Sequence, residues 1–149
     1  MKKNNIIFVI IGLFVIIVFG IVVISLNGKV INYKERSVDD WYNDITNNKE
    51  VLTVFGASYC SHCQEYYPVI SKLASKYDIN LYFFEIDTLQ KQDSDAYSKL
   101  MNSFDISEFT GSVPFSFTIE NNKIKNYRSG YMSRDDTISF LKEWSFIKN

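Results

Sequence analysis

Residues 51–77, VLTVFGASYCSHCQEYYPVISKLASKY, change their hydrophobic period halfway along. Val51 to Ala57 is apolar and rich in β-branched residues, which reads as a buried strand. From Cys60 to Tyr77 the apolar positions Tyr66, Tyr67, Ile70, Leu73, Ala74 and Tyr77 fall at helical intervals, and Pro68 inside that pattern predicts a kink. The junction carries Cys60-Ser61-His62-Cys63, which holds both cysteines of the chain. A CxxC that follows a strand and opens a helix is the context of a redox pair. The unpaired N–H groups and partial positive charge of a helix N-terminus stabilise a thiolate. Cys60 is therefore expected to have a lowered pKa and to be the nucleophile. Cys63, three residues on, is expected one turn deeper, where it can close the disulfide or resolve a mixed one. A purely structural bridge here closes too small a loop to restrict the unfolded chain appreciably.

Outward from this stretch the pattern alternates. Ser37 caps a helix with Val38, Trp41, Tyr42 and Ile45 at helical spacing, ending near Asn47-Asn48. Ile79 to Ile86 is a second candidate strand, and Asp93 to Phe104 a helix through Ala96, Tyr97, Leu100, Met101 and Phe104. Thr110 to Pro114 reads as a loop. Phe115–Glu120 and Lys123–Ser129 read as a hairpin around Asn121-Asn122. Gly130 breaks the second strand, and Ser133 caps a last helix, Arg134 to Phe146. Strands alternating with helices imply parallel crossovers, and the closing hairpin adds an antiparallel pair. The expected fold class is α/β, a mixed sheet with helices on both faces, over residues 37–149.

Ahead of it, Ile6 to Leu26 is a 21-residue run without charge. That is long enough to span a bilayer as one transmembrane helix. Lys2 and Lys3 favour a cytoplasmic N-terminus for residues 1–5, with the rest of the chain outside. Residues 27–36 read as a linker with a brief strand at Val30 to Tyr33. The competing reading, a cleaved signal peptide, calls for a shorter apolar region and a small-x-small site that is not evident before Asn27. Both readings place the domain outside the cytoplasm, where disulfides persist.

The strand–CxxC–helix, Pro68 at a helix-kinking position, Val113-Pro114 ahead of a core strand, and Gly130 after the hairpin together resemble the thioredoxin superfamily across residues 37–149. The resemblance implies a thioredoxin-like fold, a cis Pro114 beside the cysteines, and a Val113 whose backbone meets an extended substrate strand. It also implies that Ser61-His62 is similar to the Xaa-His pairs of the family's oxidases and isomerases. A His62 that stabilises the Cys60 thiolate makes the disulfide more oxidising. Family members often carry a buried acid in the strand before the motif, where this chain has Val54; Glu85 and Asp87 are candidate substitutes. The segment Ser107–Ser112 makes the loop before Pro114 long and is expected to shape the substrate groove. Tyr59, just before Cys60, is read as a substrate-facing aromatic, with ordinary packing as the alternative.

Composition narrows the function classes. Net charge is −1 with no long basic tract, which argues against nucleic acid as a partner. Twelve Phe and ten Tyr supply a core and argue against disorder. No phosphate loop or serine–histidine–carboxylate arrangement stands out, and no cofactor is expected. Two thiolates and one His fall short of the four ligands of structural zinc, but two thiolates suit Cu(I). Two hypotheses follow. One is a membrane-anchored thiol–disulfide oxidoreductase whose partners are exported or surface proteins, or a peptide such as a bacteriocin, together with an extracytoplasmic redox partner. The other is a tethered Cu(I)-binding or partner-docking module.

Overall fold

The computed structural model of the chain describes residues 36–148. The elements are helix α1 (Val38–Thr46), strand β1 (Leu52–Gly56), helix α2 (Ser61–Tyr77), strand β2 (Leu81–Glu85), helices α3 (Ile86–Gln92) and α4 (Ser94–Asn102), the hairpin β3 (Phe115–Glu120) and β4 (Lys123–Ser129), and helix α5 (Arg134–Glu143). The transmembrane helix expected over 6–26 and the strand expected at Val30 to Tyr33 lie outside the described residues. Among those described, no helix is long and apolar enough to cross a membrane.

Local chemistry sets the boundaries. The Ser37 hydroxyl accepts the Asp40 N–H at 3.0 Å, while the Asp40 carboxylate accepts the Ser37 N–H at 3.3 Å. This capping box satisfies two otherwise open donors. Asn121 and Asn122 turn the hairpin with φ of 54° and 59°. Asparagine tolerates that left-handed region better than most residues, and a two-residue turn that matches strand twist requires it twice.

The sheet order is β2-β1-β3-β4. β1 and β2 are parallel across the α2 crossover, with Val54 opposite Phe83. β3 runs antiparallel to β1, with Ser116 opposite Val54, and antiparallel to β4. Among the described strands only the α2 crossover is therefore parallel, because two helices and a loop return the chain to β3 in the opposite direction. Side chains alternate between faces along each strand. Leu52, Val54, Leu81 and Phe83 pack with α2 and α5. Phe55, Tyr82, Phe84, Phe115 and Phe117 pack with Trp41 of α1 and Leu100 of α4. Helices thus cover both faces, as expected. Trp41 is fully buried and donates its indole N–H to Thr53 Oγ1 at 2.9 Å, so the ring is buried without losing its polar contact.

Several boundaries differ from the sequence reading. Ile86 opens α3 instead of ending a strand, and the helix expected at Asp93 to Phe104 spans Ser94–Asn102. Ile86 and Leu89 are three apart and both pack on the α1/α4 side. That helical spacing was hidden at the end of a continuous apolar run. The last helix stops at Glu143, before the expected Phe146, because Ser145 turns left-handed at φ 67°. The Phe146 N–H then bonds the Leu141 carbonyl at 2.9 Å, and Phe146 and Ile147 fold back on the core.

Candidate active site

The redox pair sits where β1 delivers the chain to α2. Cys60 is the N-cap residue, with extended backbone at φ −87° and ψ 106°. Its Sγ accepts the Cys63 N–H at 3.1 Å, so the sulfur occupies the place of a capping oxygen. Cys60 and Cys63 are joined as a disulfide with Cα atoms 5.2 Å apart. Cys60 is half-buried, and Cys63 is 3% exposed within the α2/α5 core. Cys60 is thus the more exposed sulfur and Cys63 the deeper one.

The loop before β3 closes one side. The Val113–Pro114 peptide bond is cis, and the Val113 carbonyl oxygen lies 3.7 Å from Cys60 Sγ. Pro114 is buried, and its carbonyl accepts the Gly130 N–H at 2.8 Å. Gly130 has φ 91°, a left-handed conformation that glycine adopts without a Cβ clash. Two segments far apart in sequence, 113–114 and 130–132, are thereby fastened beside the sulfur.

Around this centre the expected residues take different places. His62 is exposed on the first turn of α2, with its ring centroid 6.2 Å from that of Tyr131. Tyr59 is 80% exposed and stands in solvent beside the pair. Val54 is fully buried and apolar, so no carboxylate lies at that position in β1. Glu85, at the end of β2, accepts a hydrogen bond from Thr88 at 3.3 Å. Asp87 has a clear architectural part. Its carboxylate accepts the Ser58 N–H at 2.8 Å and the Ser58 hydroxyl at 2.6 Å, and these two bonds hold it below the usual carboxylate range. Gln64 donates to the Ser58 carbonyl at 3.2 Å from the other side. The turn leading into Cys60 is thus tied both to α3 and to α2. The loop Ser107–Ser112 carries Phe109, whose ring packs 5.3 Å from Phe55 and 5.1 Å from Phe115.

Sequence reasoning missed Tyr131, an exposed ring that reaches both His62 and Tyr66, and it missed the part played by Ser58. The only sequence signal for Tyr131 was its place after Gly130. Nothing local connects Ser58 to Asp87, twenty-nine residues away.

A sulfur pair at a helix tip, one half-buried and one buried, beside the carbonyl of a cis-proline loop, defines a thiol–disulfide oxidoreductase domain. The Thioredoxin family profile matches residues 32–143. The chain belongs to the thioredoxin family. Similar folds include Fasciola hepatica thioredoxin (TM-score 0.52, 18% identity, 72% of this chain and 93% of that one). They also include a mutant thioredoxin from Halobacterium salinarum (TM-score 0.53, 18% identity, 74% and 88%). A third is oxidised thioredoxin O2 from Arabidopsis thaliana (TM-score 0.51, 20% identity, 72% and 88%). A protein disulfide isomerase-like 2-2 from Oryza sativa subsp. japonica is 28% identical over 96 residues. The match covers 64% of this chain and 24% of that relative, so the chain matches about a quarter of its length.

Proposed function

We propose that the protein carries out thiol–disulfide exchange on exported or cell-surface polypeptides, held at the outer side of the cytoplasmic membrane by residues 6–26. The observation that carries the chemistry is the placement of Cys60 Sγ, which receives the Cys63 N–H at 3.1 Å and lies 3.7 Å from the Val113 carbonyl. In the reduced protein the Cys60 thiolate attacks one sulfur of a substrate disulfide. A Cys60–substrate bond forms, the substrate S–S bond breaks, and the other substrate sulfur leaves as a thiolate that takes up a proton. Cys63 then gives up its proton and attacks Cys60 Sγ, releasing the second substrate thiolate. Two electrons pass from the protein dithiol to the substrate; the reverse sequence oxidises a substrate dithiol.

Val113 and Pro114 offer the backbone edge on which the substrate chain lies, Tyr59 offers an exposed ring beside it, and His62 supports the Cys60 thiolate. That His62 role favours oxidation or isomerisation over reduction. The uncharged run Ile6 to Leu26 after Lys2 and Lys3 supports the outward orientation. An exported peptide such as a bacteriocin is a fitting substrate.

The test is insulin reduction and refolding of scrambled ribonuclease, with wild type and Cys60→Ser, together with the reduction potential of the Cys60–Cys63 couple. Turnover that vanishes in Cys60→Ser supports the reading. A potential near about −120 mV marks an oxidase and one near about −270 mV a reductase. Stoichiometric Cu(I) binding without thiol exchange overturns the enzyme reading in favour of a binding module. Protease protection of the domain in intact cells overturns the outward topology.

A further inference from the structure

Behind the redox pair two hydroxyls meet in the core: Ser116 of β3 donates to the Tyr66 hydroxyl at 3.3 Å. Thr137 of α5 is buried as well and donates to the Ser133 carbonyl at 2.7 Å. Tyr66, Ser116 and Thr137 are each 0% exposed. Buried hydroxyls are costly without partners, whereas Phe, Ala and Val at these places fill nearly the same space without that demand.

The placement of the Ser116–Tyr66 bond points to its part. Tyr66 follows Cys63 by one turn on the same buried face of α2. Ser116 is the cross-strand partner of Val54, the residue of β1 nearest in register to Phe83 beneath α2. Pro68, two residues beyond Tyr66, has no N–H, so the Gln64 carbonyl lacks its helical donor four residues on. The turn that carries Cys63 is therefore joined to the rest of α2 by one backbone bond fewer than a regular helix provides. The Ser116–Tyr66 bond ties that same turn sideways to β3.

We propose that Tyr66 is a positioning residue for Cys63, holding the resolving sulfur behind Cys60 through its bond to Ser116. This rests on the thiol-exchange reading above. Attack of Cys63 on Cys60 Sγ needs the incoming sulfur in line with the bond that breaks, and a displacement on the order of 1 Å can cost about a hundredfold in rate. The first step, attack by the more exposed Cys60, needs no such alignment of Cys63. Loss of the Tyr66 hydroxyl therefore slows resolution and spares mixed-disulfide formation.

The experiment mixes reduced full-length wild type, Tyr66→Phe and Ser116→Ala with excess glutathione disulfide. Samples are quenched in acid over milliseconds to minutes, and the species are counted by intact mass. Cys60 takes one glutathione sulfur and releases the other as thiolate; Cys63 then displaces the bound one. The expected result is mixed-disulfide formation within about twofold in all three, with resolution slowed about tenfold or more in both variants, so that the glutathionylated form accumulates. A residue with a merely structural role lowers the unfolding midpoint and leaves that partition unchanged, which overturns the proposal. Ser116→Ala removes the same bond from the other side and decides the matter if Tyr66→Phe does not fold. Wild type that resolves rapidly, beside variants that resolve equally fast, sinks the proposal alone. Wild type that forms no mixed disulfide sinks the thiol-exchange reading with it.

Discussion

Acidification should weaken this fold through one carboxylate far from the sulfurs. Asp44, at the end of α1, is 9% exposed. Its Oδ1 accepts from Lys49 Nζ at 2.7 Å, and its Oδ2 accepts from Asn80 at 2.9 Å and from the Tyr82 hydroxyl at 2.8 Å. The Arg36 guanidinium is 3.8 Å away. Burial alone raises the Asp44 pKa. The bonds from Lys49, Asn80 and Tyr82, with the charge of Lys49, outweigh it and hold the carboxyl down at about 2, against an ordinary 3.8. At ~1.4 kcal/mol per pH unit the full linkage is worth about 2–3 kcal/mol. The Lys49 side chain is 60% exposed and that of Arg36 32%, so solvent screening reduces this to about 1–2 kcal/mol. The folded value is depressed, so the stabilisation is present above the unfolded pKa near 3.8 and is lost as pH falls toward about 2. Urea unfolding of oxidised wild type and Asp44→Asn at pH 6 and pH 2 tests this. The stability gap between the two proteins should shrink by about 1–2 kcal/mol on acidification, since every other carboxylate titrates in both. An equal gap at the two pH values refutes the reasoning. The potential of the Cys60–Cys63 couple should be the same in both proteins, because Asp44 joins the opposite end of the sheet.

Gly56→Ala should destabilise by about 1–3 kcal/mol, because a Cβ there would lie 2.6 Å from Phe83 Cζ, whose ring is packed 4.7 Å from Tyr67; a wild-type melting temperature would show that the ring yields freely. Asp87→Ala removes both bonds to Ser58 and should lower turnover several-fold while leaving the disulfide able to form. The Asp87 carboxyl is held low, so this tether is complete above the ordinary carboxylate range and fails only as pH falls below it; a difference in unfolding midpoint between oxidised wild type and Asp87→Ala that is the same at pH 7 and pH 2 would contradict it. In the reduced protein at neutral pH, iodoacetamide should label the half-buried Cys60 at least tenfold faster than the 3%-exposed Cys63; equal labelling, read by peptide mapping, would deny the asymmetry on which resolution depends.

Much of this protein is legible along the chain. The β1–CxxC–α2 unit, the Ser37 and Ser133 caps, the Asn121-Asn122 turn and the alternation that puts Phe115 and Phe117 on one face depend on neighbours within a few residues. Spacing and side-chain chemistry therefore specify them directly. The family-like proline and glycine positions then located Pro114 and Gly130 beside the cysteines. The helix Ile86–Gln92 escaped because a continuous apolar run has the same composition as a buried strand or as the first turn of a helix.

Other features arise only when distant segments are brought together by the sheet. The order β2-β1-β3-β4 places Ser116 opposite Val54 and in reach of Tyr66, so a buried hydroxyl bond exists that no local pattern announces. Asp87 meets Ser58, and Tyr131 meets His62, for the same reason. A hydrogen bond between residues tens of positions apart is a property of chain path. Periodicity reports which face a side chain occupies, and only packing decides which partner it finds there.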